Sequence, residues 1–337
     1  MTQRCLVTGA AGVIGFDLAR RLLERGERVV CADTGRKWGL SDLGDLVARH
    51  PRQAELLEAD LARESGALTG RFDLIFHLAA VVGVRYVSEH PYETLDVNLR
   101  STLNVLDHAL RTCPSVVMFA SSSENYASGV DLGFVQVPTP EEVVLSIGDV
   151  ALPRWSYAAS KIAGESALFA ASREGRFAPV VIRFHNVYGP RMGPTHVVPE
   201  FLERCRARVD PFPIYGPEQT RSFLYVTDAA RAVDLVVSAA AADPARGGIW
   251  NIGSGVETRI EDLARLAFEV SGHHPRLRPE PAPPGSVARR VPDLAKLTTL
   301  GFRPEVQLAE GLRACWRALQ GTEPAQSPPV ARPAEAQ

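Results

Sequence analysis

Cysteine is scarce and shows no pairing pattern: Cys5, Cys31, Cys113, Cys205 and Cys315 form an odd set without a CxxC. That excludes a disulfide framework and a cysteine-built zinc knuckle, and it reads as reduced, buried packing residues. Histidine offers no substitute, because the eight histidines contain no HxxxH spacing and His273-His274 falls in a polar stretch. No metal site is expected. Excess charge of one sign is missing too, with 37 Lys and Arg against 39 Asp and Glu, a net charge of −2. Nucleic acid or an anionic membrane would call for a basic surface, so any anionic ligand must be met by a few placed cations. No apolar run approaches the ~20 residues that span a bilayer. A strand pattern begins within four residues of Met1, and the expectation is a cytoplasmic protein without a leader.

What is present is alternation. Short apolar runs at Cys5–Thr8, Val29–Ala32, Leu56–Ala59, Leu74–Leu78, Val116–Ala120 and Val180–Phe184 alternate with helical patterns. In one of these Leu99, Leu103, Leu106 and Leu110 trace a stripe at helical spacing, expected to be buried. Strands alternating with helices predict an α/β fold with a parallel, doubly wound sheet. After Asn186 the texture changes, as prolines at 190, 194, 199, 211, 213 and 217 cut the chain into short pieces. Helical patterns return at Val226–Ala241 and Ile260–Ser271. The expected organisation is a first domain over 1–185 and a smaller lobe over 186–321, with segments such as 218–254 returning to the first. The Pro-, Ala- and Gln-rich tail 322–337 is expected to be disordered.

The first strand runs into a glycine-rich turn, Thr8-Gly9-Ala10-Ala11-Gly12-Val13-Ile14-Gly15, which opens a helix. Glycines at 9, 12 and 15 permit a tight turn, close backbone approach and close helix packing, and the helix N-terminus then offers bare amides to a pyrophosphate. Asp33 ends the second strand, 18 residues past Gly15, where a carboxylate accepts from adenosine ribose hydroxyls and repels a 2′-phosphate. The predicted cofactor is therefore NAD. Asp60 follows the third strand, placed for the adenine amino group.

Tyr157 and Lys161 lie one helical turn apart, a rise of about 6 Å, and so share a face. A neighbouring ammonium and a positive nicotinamide ring would stabilise the phenolate and lower the tyrosine's pKa from its usual ~10. Tyr157 then takes a proton from a substrate hydroxyl as hydride leaves. Ser121-Ser122-Ser123 stands after the fifth strand, where sites in open α/β sheets form.

With these pieces in order, the chain resembles an extended short-chain dehydrogenase/reductase of the nucleotide-sugar epimerase/dehydratase kind. The matching segments are TGAAGVIG (8–15), HLAA (77–80), the Asn98 helix, SSSENY (121–126), YAASK (157–161), RFHNVYGPRM (183–192), QTRSFLYVTD (219–228), NIGSG (251–255) and RRVPDLAKLTTLGFRP (289–304). The resemblance implies a Rossmann-type fold, tightly bound NAD that is recycled, a nucleoside diphosphate sugar as substrate, oxidation at C4 and a homodimer built from the helices near 95–110 and 157–173. It implies cofactor contacts at Gly9, Gly12, Val13, Ile14, Gly15, Asp33, Asp60, Leu61, Leu78, Ala79, Ala80, Tyr157 and Lys161. It places the substrate against Ser123, Asn186, Arg191, Val198, Arg221, Arg289 and Arg290.

Three reactions remain open. A 4-epimerase only moves hydride off and back and needs no extra carboxylate. A 4,6-dehydratase needs an acid for the departing C6 hydroxyl, and Ser123 stands where those enzymes carry aspartate. A uronate decarboxylase needs less, because a C4 ketone makes the C6 carboxylate a β-keto acid. The order Ser122-Ser123-Glu124, Arg154-Trp155 before the tyrosine, the GPRM run and Arg290 before Pro292-Asp293-Leu294 resemble UDP-glucuronate decarboxylases. RFHNVYGP is also similar to GDP-mannose 3,5-epimerases. The expected catalytic set is Ser122, Glu124, Tyr157, Lys161 and Arg290, with decarboxylation of UDP-glucuronate or a related uronic acid first and 4-epimerisation second.

Overall fold

A computed structural model describes residues 2–37, 39–282 and 286–321. The tail expected to be disordered lies outside these. Six apolar runs form strands to within two residues of their expected bounds: β1 Arg4–Thr8, β2 Arg28–Asp33, β3 Ala54–Glu58, β4 Leu74–His77, β5 Val116–Ser122 and β6 Ala178–Phe184. A seventh, β7 Gly248–Ile252, comes from the second half of the chain. All pair in parallel in the order β3-β2-β1-β4-β5-β6-β7, a Rossmann-type sheet. The order reverses between β1 and β4, which opens a crevice at their carboxyl ends.

Helices cover both faces because strands buried on both sides must be. On one face α1 Val13–Glu24 packs against a long helix at Val226–Ala242 over Cys5, Val7, Cys31 and Val180. Arg21 and Arg25 of α1 reach Asp234 of that helix. On the other face α3 Pro91–Thr112 packs against α4 Trp155–Gly175, over Ile75, Val117, Phe119 and Val181 (α2 is Ser41–Arg49, beside β3).

Two sequence expectations need correction. Of the leucine stripe only Leu106 is fully buried, Leu99 and Leu110 are partly buried and Leu103 is half exposed; α3 buries Asn98, Ser101, Thr102, Val105 and Ala109 beside Leu106. The reason is the close neighbour α4, which favours small and hydrogen-bonding side chains at the contact. Cysteine is buried at 5, 31, 205 and 315, but Cys113 is exposed in the left-handed turn that ends α3.

The second half of the chain also adds helices and short strands whose apolar residues continue the core on the α1 side of the sheet. Helices at Val197–Arg206, Ile260–Ser271 and Leu308–Leu319 pack together beside short strands. One three-stranded piece joins Thr220–Ser222 to Glu257–Arg259 and Arg289–Arg290. Among the described residues no helix is long and apolar enough to cross a membrane.

Close approach of α4 to β5 depends on Gly164, where an added Cβ would lie 2.4 Å from the Phe119 ring. Gly164→Ala is expected to cost about 1–3 kcal/mol. Denaturant unfolding measures it, and an unchanged midpoint would show that this contact is slack.

Candidate active site

The crevice is floored by the glycine turn. Gly9 has φ +69°, and a Cβ there would meet Ala79 N at 2.8 Å; at Gly15 it would meet the Gly9 carbonyl at 2.1 Å. Helix α1 begins at Gly12 without a side-chain cap and with no acid in its first turn. Its first amides, at Val13, Ile14 and Gly15, are therefore open to an anion. Asp33 braces the turn: its carboxylate accepts from Ala11 N at 3.0 Å and Gly35 N at 2.9 Å. Asp60 caps Ala62 N at 3.0 Å and pairs with Arg36 at 3.0 Å, beside buried Leu61. Leu78, Ala79 and Ala80 follow β4, where Thr8 Oγ1 accepts from Ala79 N, and the Asn98 amide clamps Val81 from both sides. A backbone cradle that side chains would fill, with a bare helix end and a ribose-height carboxylate, fits NAD.

Across the crevice stands α4. Tyr157 hydrogen-bonds Ser122 at the end of β5, and burial pushes its phenol up to about 12, against the pull of that bond. Lys161 is buried and donates to the Ala120 carbonyl at 2.7 Å, with Nζ 5.6 Å from the Tyr157 ring. Burial lowers its pKa to about 7, opposed by the Glu165 charge. The protein alone thus raises the phenol's pKa instead of lowering it, because desolvation, joined by the Glu124 charge, outweighs the Ser122 bond and the Arg290 charge.

Beyond Ser122 the chain turns through one 3₁₀ turn, Ser123–Tyr126. Ser123 is buried, whereas Glu124 points to the crevice with one oxygen on Arg154 at 2.8 Å and the other on Arg290 at 2.6 Å. Burial would raise its pKa, but the two guanidiniums outweigh burial and hold it below the usual carboxylate range. Arg221 stands in register beside Arg290 on the neighbouring strand. Burial and the Arg290 charge lower it to about 10, while Glu124 and Asp131 pull the other way. Two arginines therefore hold one glutamate, while the Arg221 guanidinium donates to the Thr220 carbonyl at 2.8 Å and to Gln219 at 3.0 Å.

Strand alternation separates the arginine pair at 289–290. Arg290 turns inward, its Nε buried without a hydrogen-bond partner among the described residues. Arg289 turns outward to Glu257 at 2.8 Å, so the structure places it away from Glu124. Asn186 holds the left-handed φ of +36°, and its side-chain oxygen is buried without a described partner. That strained, unpaired amide at the crevice is suited to a ligand. Arg191 lies over the Phe16 ring at 4.1 Å, donates to the Ala11 carbonyl and pairs with Asp42, which puts it on the glycine turn. Val198 is 2% exposed, so its side chain belongs to the core on the α1 side of the sheet.

Sequence reasoning left Arg154 out of the catalytic set and missed the buried pair Glu165–Arg183. The available signals were a glutamate four residues past Lys161 and a lone arginine in the apolar strand VVIRF.

Two outcomes follow from this geometry. Gly15→Ala should weaken NAD binding by at least about tenfold, read by titration against protein fluorescence; unchanged affinity would show the cradle is not the site. Lys161 has its folded pKa lowered to about 7 from 10.5, so the unfolded chain binds the extra proton between these values. Wild-type stability relative to Lys161→Met should therefore rise as pH goes from about 7 to 10.5. Thermal unfolding of both across that window checks it, and a pH-independent difference would count against a buried neutral lysine.

The pattern of the NAD dependent epimerase/dehydratase family matches residues 5–253. A UDP-N-acetyl-alpha-D-glucosaminuronate decarboxylase of Bacillus cytotoxicus is 33% identical over 326 residues, covering 93% of this chain and 96% of that protein. Among solved structures, a UDP-glucose 4-epimerase of Thermotoga maritima with UDP-glucose superposes with a TM-score of 0.81 at 28% identity, covering 95% of this chain and 99% of the other. MoeE5 in complex with UDP-glucuronic acid and NAD gives 0.79 at 26%, covering 95% and 100%. These relatives are NAD-dependent nucleotide-sugar enzymes, and the chain belongs to the NAD dependent epimerase/dehydratase family.

Proposed function

We propose that this enzyme decarboxylates a UDP-linked uronic acid through transient oxidation at C4, with NAD recycled. One observation carries the reading: Glu124 is held ionised between Arg154 and Arg290, beside the Ser122–Tyr157 pair. A 4-epimerase acting on a neutral hexose has no use for such a charged group. A 4,6-dehydratase needs a protonated acid at C6, and an arginine-held glutamate next to buried Ser123 is a poor one. A uronate carboxylate, by contrast, suits a site where Arg154, Arg221 and Arg290 outnumber Glu124 and Asp131. The B. cytotoxicus relative and the MoeE5 complex both concern UDP-linked uronic acids.

When bound, NAD supplies the hydride acceptor that turns the C4 hydroxyl into a ketone. Tyr157 receives the hydroxyl proton, and Ser122 holds the C4 oxygen. Asp33 and the glycine turn bind the cofactor's ribose and diphosphate, and Asn186, Arg191 and Arg221 serve the substrate's polar groups. With C4 a ketone, the C5–C6 bond breaks, carbon dioxide leaves, and the electron pair moves to the C4 oxygen as an enolate. Ser122 and protonated Tyr157 stabilise that oxyanion. A proton then reaches C5 from water held by Arg290 and Glu124, which restores the ketone, and Tyr157 returns its proton to the C4 oxygen as that carbon regains hydride, leaving a UDP-linked pentose and an oxidised cofactor. Both oxygens of Glu124 accept from arginine, so its part is to fix these cations and that water.

The second reading is 4-epimerisation of the same uronic acid, in which the arginines hold the carboxylate without releasing it. Purified protein incubated with UDP-glucuronate and with UDP-N-acetylglucosaminuronate decides by mass spectrometry. Carbon dioxide loss supports decarboxylation, an isobaric product supports epimerisation, and inertness toward all nucleotide sugars defeats both. Stoichiometric consumption of added NADH would instead mark a simple ketoreductase. The homodimer is proposed on α3 and α4, where Tyr92 and Leu103 are exposed; light scattering reads the mass.

Glu124→Gln should retain NAD and UDP binding and lose turnover by about a hundredfold, because its amide would face a guanidinium donor-to-donor. Full product formation by that variant would remove Glu124 from the mechanism.

A further inference from the structure

Beneath the crevice runs a continuous chain of buried polar groups that the reaction above does not use. It starts on α4 at Glu165, one turn past Lys161. One oxygen of Glu165 accepts from Ser121 at 2.5 Å, Asn125 at 2.9 Å and Arg183 Nε at 2.9 Å; the other accepts from Arg183 Nη2 at 2.6 Å. Arg183, on β6, donates onward to the Tyr126 hydroxyl at 2.9 Å and the Glu141 carbonyl at 3.0 Å. Tyr126 donates to Asn251 Oδ1, on β7, at 2.9 Å. Asn251 Nδ2 then reaches the Thr139 carbonyl at 2.9 Å and the Asp293 carbonyl at 3.4 Å. Thr139 closes the chain, because its backbone pairs with Val291 and Asp293, immediately after Arg290.

The side chains linking Ser121 to Asn251 are at least nine-tenths buried, so the bonds among them are shielded from water, and the Asp293 end is partly buried. The two ends of the chain are the two halves of the reaction centre. Ser121 and Asn125 flank the segment that carries Ser122 and Glu124, and Glu165 shares its helix with Tyr157 and Lys161. At the far end, segment 291–293 sets where Arg290 emerges. We propose that Tyr126 and Asn251 are positioning residues: they hold Arg290 in register with Tyr157 of α4 and Glu124 of the turn after β5, and so serve the second step of the reaction and not the first. The inference rests on the role given to Arg290 above. Neither residue is placed against substrate or cofactor, and both act through the backbone that presents Arg290.

The experiment separates the two steps in Tyr126→Phe, which deletes one hydroxyl from the middle of the chain. Single-turnover mixing of NAD-loaded enzyme with UDP-glucuronate and with UDP-N-acetylglucosaminuronate follows transient reduced-nicotinamide absorbance for the first step and trapped carbon dioxide for the second. Hydride transfer should stay within about threefold of wild type, while carbon dioxide release slows by roughly ten- to a hundredfold. The oxidised intermediate should then accumulate, with KM for the nucleotide sugar little changed. Asn251→Ser, which cuts the next link, must give the same split. Equal slowing of both steps, or loss of folding in both variants by thermal unfolding, would make the chain a general scaffold and overturn the proposal. So would wild-type carbon dioxide release in both variants. Absence of carbon dioxide from wild type with either uronate defeats the decarboxylase reading itself, and this inference with it.

Discussion

The carboxylate of Glu165 is the pivot of this structure. It lies in a low-dielectric interior, where an ion without partners is costly, and Arg183 meets it with two parallel bonds. Both charges are satisfied, yet each still has capacity left, and that remainder organises the surroundings. Ser121 and Asn125 are drawn to one side and Tyr126 to the other. An apolar pair of equal volume would pack as well but would leave the turn after β5 free to choose among conformations. The ion pair is thus better understood as a specifier of geometry than as a source of stability.

From that pivot the electrostatics divide by depth. At the bottom the charges are matched and fixed. One layer up, Lys161 is kept close to neutrality in its proton equilibrium by burial, and the phenol beside it is pushed to higher pKa. At the mouth the balance tips to positive, with Arg154 and Arg290 on Glu124 and with Arg221 and Asp131 close enough to add their charges. A chain with a slightly negative total charge therefore presents a local cationic surface where an anionic sugar would enter, and it does so with a few residues drawn from distant segments.

Features set by local pattern were legible in the sequence, and features set by distant partners were not. Apolar runs marked β1 to β6 because strands buried on both faces must be apolar. The glycine turn and the Tyr157–Lys161 spacing each declare themselves within eight residues. Arg183 could not be read in this way, since an arginine in VVIRF makes sense only beside Glu165, 18 residues earlier. The Tyr126–Asn251 contact spans 125 residues and carries no periodic signal. Choosing between Arg289 and Arg290 required knowing the strand register, which decides the face each presents. Leu103 shows the converse error: helical spacing was present, but the neighbouring helix took a different face.

The parallel pairing of 289–290 with 220–221 has a consequence for biosynthesis. A growing chain holds Ser122, Tyr157 and Lys161 long before it holds β7, and it completes β7 well before Arg290 exists. On the ribosome, the parts proposed to bind cofactor and begin the oxidation are thus made first, and the arginine proposed to serve the second step is made last. Fastening that late strand to segments laid down earlier delays the assembled reaction centre until nearly all of the described chain has been synthesised. A translation product cut short before residue 289 would hold the residues proposed to begin the oxidation and lack the arginine proposed to help finish it.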